Sequence, residues 1–189
     1  WSALPSGEMR ILAFGNWGRG KELEPLIHAF LRRPVGTLVI AGQSSHTRPG
    51  YLEAVQRAYR SPQVRFPGYI PEGRVPALFR SASLVVLPYR ENTGFSGVLM
   101  QACQYARPIL ARRSQVFDQI ARDLRLRLFF YDHEDELPGV LPELLADLSG
   151  LQESARHNFL QVQDVSMSMV AALYWRLLGE AGGSAIVLP

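Results

Sequence analysis

At 189 residues with 47% hydrophobic content the chain is long enough to bury a substantial core, and its size suits one domain, or one with an appended segment. Lys and Arg total 20 against 17 Asp and Glu, and a formal charge of +3 gives little support for a nucleic-acid partner even with a sequence pI of about 9.3. The lone Cys103 excludes an internal disulfide and any multi-cysteine metal cluster, and within an apolar helical run it reads as a buried thiol in a reducing compartment.

From the N-terminus, Arg10 to Gly15 is the first short apolar run, followed by helical spacing at Leu23, Leu26, Ile27 and Phe30. Thr37 to Gly42 is the next run, then helical spacing returns at Tyr51, Leu52, Val55 and Tyr59. Val64 to Phe66 precedes a third helical segment at Val75, Leu78 and Phe79, and Leu84 to Tyr89 is a further apolar run ending at Pro-Tyr. Near-continuous apolar runs suit strands covered on both faces. With Ile109 to Ala111 and Leu126 to Phe130 the pattern predicts an α/β chain, a doubly wound parallel sheet of about six strands with helices on both faces. Helices then close the chain, at Glu136 to Leu148, Gln152 to Val162 and Val165 to Leu178, ahead of a frayed tail from Gly182. The last helix reads as a packing helix, because a membrane-surface helix carries a Lys/Arg-rich polar face and this one offers Arg176 alone. No signal peptide and no span of about twenty apolar residues is read, and a chain beginning at Trp1 is expected to be a fragment.

The most informative segment is Ser83 to Ala111: buried strand, polar Gly-containing loop, helix, second strand. In such a βαβ unit the loop lies at the carboxyl end of the first strand, where open α/β sheets bind ligands. Two motifs, one after the first strand of the chain and one in this loop, can carry chemistry. The first is Gly15-Asn16-Trp17-Gly18-Arg19-Gly20-Lys21, a Gly-rich turn with two cations. Backbone amides, a helix N-terminus and Lys or Arg together make a diphosphate site without a metal. Its spacing fits neither the P-loop nor the dinucleotide fingerprint, so an ordinary βα turn with exposed cations stands beside that reading.

The second is Thr93-Gly94-Phe95-Ser96-Gly97-Val98, opening a helix that runs to Ala106. Ser96 suits the N-cap, leaving the amides of Gly97, Val98 and Leu99 to point at an anion. Gln101, one turn on, reads either as a partner for a ribose hydroxyl or as a helix-surface residue, and Glu91 either as functional or as a solvated loop acid. Arg112 and Arg113, at the end of a predicted strand, read as phosphate contacts or as solvated side chains. His28, His46, His133 and His157 have no ligand spacing, and no Gly-x-Ser-x-Gly elbow is present.

The serial order of these blocks with Leu-Val-Ile-Ala-Gly, Val-Arg-Phe-Pro-Gly-Tyr-Ile-Pro and Arg-Pro-Ile-Leu-Ala resembles the C-terminal half of retaining GT-B glycosyltransferases of family 4, over about Met9 to Leu178. The resemblance implies a Rossmann-like donor domain that binds a nucleotide sugar in a cleft against a separate N-terminal acceptor domain. It also implies that Lys21 neutralises the donor diphosphate, with Asn16 standing where the family has an arginine and Arg19 as its replacement. By the same resemblance Tyr69 and Ile70 belong to the segment whose backbone meets the base, and Gly94, Phe95 and Ser96 stand in the family's donor loop; Gly15, Gly97, Val98 and, in its functional reading, Glu91 join the candidate donor site from the two motifs themselves. The family's two loop acids are Thr93 and Gln101 here. Thr93 hydrogen-bonds but supplies no charge beside the sugar, and Gln101 keeps one acceptor where a carboxylate holds both ribose hydroxyls.

The resemblance therefore implies a donor domain for retaining sugar transfer, inactive alone, with no metal or other cofactor besides the donor. Transfer would use the donor's own leaving phosphate and no protein nucleophile. The alternative is a non-catalytic nucleotide- or sugar-binding module that has lost the acids. The expected partners are a nucleotide sugar and the N-terminal domain of the same protein, with no nucleic acid. The expected location is cytoplasmic, or peripheral at the inner membrane face through the full-length protein.

Overall fold

The computed structural model of the chain describes residues 7–90, 96–163 and 165. The apolar runs become six strands, β1 (Arg10–Trp17), β2 (Thr37–Ser44), β3 (Val64–Gly68), β4 (Leu84–Leu87), β5 (Ile109–Arg112) and β6 (Phe129–Tyr131). They form one sheet in the order β3-β2-β1-β4-β5-β6, every pairing parallel. Parallel neighbours need crossovers, supplied by α1 (Glu24–Arg32), α2 (Tyr51–Ala58), α3 (Val75–Arg80), α4 (Gly97–Gln104) and α5 (Gln115–Asp123). The chain continues through α6 (Leu137–Ala146) and α7 (Leu148–Val162), which pack on α1 and α4 respectively. Covered on both faces, β4 buries all four of its residues completely.

This is the fold the alternation of runs predicts, with four local differences. β1 and β2 continue two residues past Gly15 and Gly42, where Asn16 pairs with Gln43 and Trp17 with Ser44. A glycine at the third-last place and a polar residue at the second-last hide the end of each strand from an apolar count, yet buried Trp17 anchors β1 by donating its indole N–H to the Ala41 carbonyl at 3.0 Å. α5 is an addition: it buries only Phe117 and Ile120, and its start is set by Ser114, whose hydroxyl accepts from the Phe117 amide at 3.2 Å. The last strand is Phe129–Tyr131 rather than Leu126 to Phe130. The helix expected over Glu136 to Leu148 divides at Asp147, whose carboxylate accepts from the Gly150 amide at 2.9 Å and so caps α7. Of the helix expected over Val165 to Leu178, only Val165 lies within the described residues, packed against the core.

The buried charge in this core is Arg107, fully enclosed after a left-handed Ala106 (φ 49°) that ends the α4 segment. Its Nε donates to the Tyr105 carbonyl at 2.9 Å and its Nη1 to the carbonyls of Ala82 at 3.3 Å and Arg80 at 3.4 Å. The side chain thus ties the end of α3 and the entry of β4 to the entry of β5. Arg107→Ala is expected to leave these carbonyls without that donor and to cost about 3 kcal/mol in a denaturant titration. A change under about 1 kcal/mol would mean that water replaces the guanidinium without loss.

Candidate functional site

The strand order reverses between β1 and β4: from β1 the chain winds outward to β2 and β3, and from β4 outward to β5 and β6. The loops leaving two such strands diverge and open a crevice at their carboxyl ends. A cavity of about 380 Å³ occupies that place, within the size range of small-molecule sites. One wall is the end of β1 with Phe14, Gly15 and Asn16, beside Gly42 and Gln43 of β2. Lys21 closes one side, Tyr69 and Ile70 after β3 another, and the first turns of α4, with Gly97, Val98 and Gln101, the third.

Glycine is required at the floor. Gly15 and Gly42 face each other across β1 and β2 with φ of +148° and +119°, and a Cβ on Gly42 would stand 1.9 Å from the Gly15 carbonyl oxygen. A Cβ on Gly15 would lie 3.7 Å from Val98 Cγ2, in the space between β1 and α4. Bare backbone at the strand ends therefore sets the opening.

The helix terminus at this cavity belongs to α4. Ser96 is its N-cap, with a hydroxyl that accepts from the Leu99 amide at 3.3 Å. That occupies one of the three amides expected to face an anion, and leaves Gly97 and Val98 at the cavity. The Gly-rich turn contributes less backbone than its composition suggests. The Gly20 amide donates to Glu22 Oε1 at 3.0 Å, the Lys21 amide to the Gly18 carbonyl at 3.0 Å, and the Leu23 amide at the start of α1 to the Tyr51 hydroxyl at 2.6 Å. Beyond Gly15 and Asn16 at the strand end, what this turn presents to the cavity is Lys21, half-buried, its ammonium 4.4 Å from the centroid of the Tyr89 ring. Burial holds its pKa below the ordinary lysine value.

Of the other predicted residues, Arg19 is exposed and outside the cavity lining, and Ser96 lies buried behind it. Glu91, Thr93, Gly94 and Phe95 lie outside the described residues. Arg112 and Arg113 meet carboxylates: Arg112 Nε is 3.3 Å from Glu134, and Arg113 is 3.0 Å from Asp118 and 3.2 Å from Asp132. Glu134 also holds Arg90 at 3.3 Å. Neither Arg112 nor Arg113 lines the cavity. The sequence reading passed over Phe14, Gly42, Gln43 and Tyr89. The signal for the β2 pair was available, since a strand ending in Gly beside another ending in Gly puts the following residues on the same rim.

A family model described as glycosyl transferases group 1 matches residues 8–147. No match is found among curated proteins. Among solved structures, HepE of Anabaena, in complex with UDP and glucose, superposes with a TM-score of 0.70 at 17% identity, over 92% of this chain and 48% of that one. Sucrose-phosphate synthase from Thermosynechococcus elongatus gives 0.71 at 21% identity, over 95% and 47%. The C-terminal domain of the glycosyl transferase group 1 protein LpcC from Francisella tularensis gives 0.64 at 19% identity, over 84% and 86%. The chain thus spans about half the length of the first two proteins and most of the isolated LpcC domain. With the parallel 3-2-1-4-5-6 sheet and the family match over residues 8–147, the chain belongs to the group 1 glycosyl transferases.

Proposed function

We propose that this chain is the donor-binding half of a glycosyltransferase and holds a nucleoside diphosphate sugar in the cavity between β1, β2 and α4, for retaining transfer to an acceptor bound by a second domain. The observation that carries this reading is that Lys21 and the first two residues of α4, Gly97 and Val98, line one cavity. An ammonium and a helix N-terminus converging at a strand-end crevice suit a dianion and need no metal. The diphosphate is the leaving group in transfer, so positive groups aimed at it stabilise charge that grows as the glycosidic bond breaks. Tyr69 and Ile70 on the opposite wall fit the base, and Gln101 the ribose. A leaving phosphate that itself takes the acceptor proton requires no protein nucleophile.

The test is calorimetric titration with a panel of nucleoside diphosphates. Uridine diphosphate is the first probe, because HepE is known in complex with UDP-glucose. Saturable binding of a diphosphate, with the matching nucleoside much weaker, is expected; equal affinity for both would contradict the assignment. The chain alone is expected to transfer no sugar, since holding both reactants supplies much of the rate and one wall of the cleft is elsewhere. Turnover by the purified chain with any donor and acceptor would overturn that expectation.

Gln101 favours a second reading, a binding module without turnover, because an amide lines the cavity where the family has a carboxylate. Gln101→Glu separates the two. If Gln101 occupies the ribose site, the carboxylate accepts from both hydroxyls and diphosphate binding tightens. Weaker binding at the same ionic strength would place the new charge beside phosphate with no hydroxyl partner, and would remove the ribose assignment.

A further inference from the structure

Tyr89 follows β4 and is 2% exposed, so its ring is part of the core, and its neighbours lie on both sides of the crevice. Phe117 of α5 stacks on it with centroids 5.9 Å apart, which fixes the plane of the ring. The Lys21 ammonium lies 4.4 Å from its centroid, a cation–π distance. The hydroxyl lies by the floor of the crevice, 3.9 Å from where a Cβ on Gly15 would stand, with Val98 Cγ2 of α4 3.7 Å from the same point. The next residue completes the connection, with the Arg90 amide donating to the Gly20 carbonyl at 2.9 Å and so holding the Gly-rich turn against this segment.

We infer that Tyr89 is a positioning residue of the cavity: its ring, fixed by Phe117 and set in a segment tied to the Gly-rich turn, holds the Lys21 ammonium at the wall where it would meet a diphosphate. The composition supports a special role for that ammonium. Of the 20 cationic side chains, 19 are arginine and Lys21 is the single lysine. A compact ammonium fits over a ring at the cavity wall and still offers three donors, where a planar guanidinium would stack flat and carry its charge farther in. A tyrosine retained only to fill the core would have no need of the lysine above it.

The single lysine makes the test clean. With 13Cε-lysine, the chain gives one lysine ε signal, that of Lys21. In the unaltered protein the attached protons are expected upfield of free lysine through the ring current of Tyr89; a free-lysine position would overturn the inference without any variant. Tyr89→Met keeps an apolar filler of similar length and removes the ring, and is expected to lower the Lys21 titration midpoint by roughly half a unit to one and a half units. Tyr89→Phe keeps the ring and is expected to leave that midpoint in place. The ligand arm rests on the function proposed above and uses uridine diphosphate: about a three- to tenfold loss of affinity for Tyr89→Met and an affinity within about twofold of the unaltered protein for Tyr89→Phe. An unchanged midpoint in Tyr89→Met overturns the inference, and so does a lowered midpoint with unchanged diphosphate affinity. The lysine arm needs no ligand, so a protein that bound no nucleotide would refute the proposed function while the ring current still judged the Tyr89–Lys21 contact.

Discussion

Lys21→Ala is expected to weaken nucleoside diphosphate binding by a factor of ten to a hundred and to leave nucleoside binding nearly untouched. The reasoning is electrostatic. A charge-assisted bond from an ammonium to phosphate contributes about 1.5 to 3 kcal/mol, and none of that energy is shared with the base. Lys21 is the cation among the described residues that lines the cavity, since Arg19 points elsewhere and Arg112 and Arg113 are held by carboxylates. Calorimetry with both ligands at one ionic strength reads the difference. Equal losses would make Lys21 a structural residue. A pH series adds an independent check. Burial lowers the Lys21 pKa, so the free protein gives up this proton below the ordinary lysine value. Bound phosphate stabilises the charged form and raises the pKa, so binding takes up a proton on the alkaline side and affinity falls as pH rises through the lowered value. In Lys21→Ala that alkaline fall is expected to disappear.

Gly42→Ala is expected to remove binding by another route, with the largest loss of stability of any change proposed here. The added methyl would sit 1.9 Å from the Gly15 carbonyl oxygen, a backbone atom that no rotamer change can move, and φ of +119° is strained for any residue with a Cβ. Strain and overpacking together cost roughly 3 to 5 kcal/mol, or a fall in Tm of about 10 °C for a chain of this size. Gly68→Ala is the matched control. It also has a positive φ, +74°, but nothing lies within 4 Å of its Cβ, so about 1 kcal/mol is expected. Similar melting temperatures for the two variants would show that the β1–β2 floor yields easily.

The sheet was legible because parallel strands covered on both faces leave the simplest trace in a sequence. Leu84–Leu87 is apolar throughout and buried throughout. Where side chains serve the rim instead of the core, the trace fades: Asn16 and Gln43 still belong to strands, and Gly15 and Gly42 look like strand ends although two more residues pair beyond them. α5 went unread for a related reason, since a helix with two fully buried residues among charged ones resembles a loop. The site was legible in its residues but less so in its division of labour. Gly15, Asn16, Lys21, Tyr69, Ile70, Gly97, Val98 and Gln101 do converge. Yet local composition cannot tell which amides are already used, and Glu22, Ser96 and Tyr51 take three that a Gly-rich turn and two helix starts would otherwise offer. The Arg112–Arg113 pair went the same way. Its partners Glu134 and Asp132 lie about twenty residues on and reach it only because β6 pairs with β5.

The assignment of the cavity between β1, β2 and α4 as a nucleoside diphosphate site rests on Lys21 and the start of α4. Its most direct test is an amide and lysine NMR titration of the 15N, 13Cε-lysine protein with uridine diphosphate. The Lys21 ε signal and the amides of Asn16, Gly97, Val98 and Gln101 are expected to move together on one saturable curve, and inorganic pyrophosphate to move Lys21, Gly97 and Val98 but leave Tyr69 and Ile70 in place. A saturable shift confined to residues outside this group, or a Lys21 signal that does not move while the nucleotide binds, would contradict it.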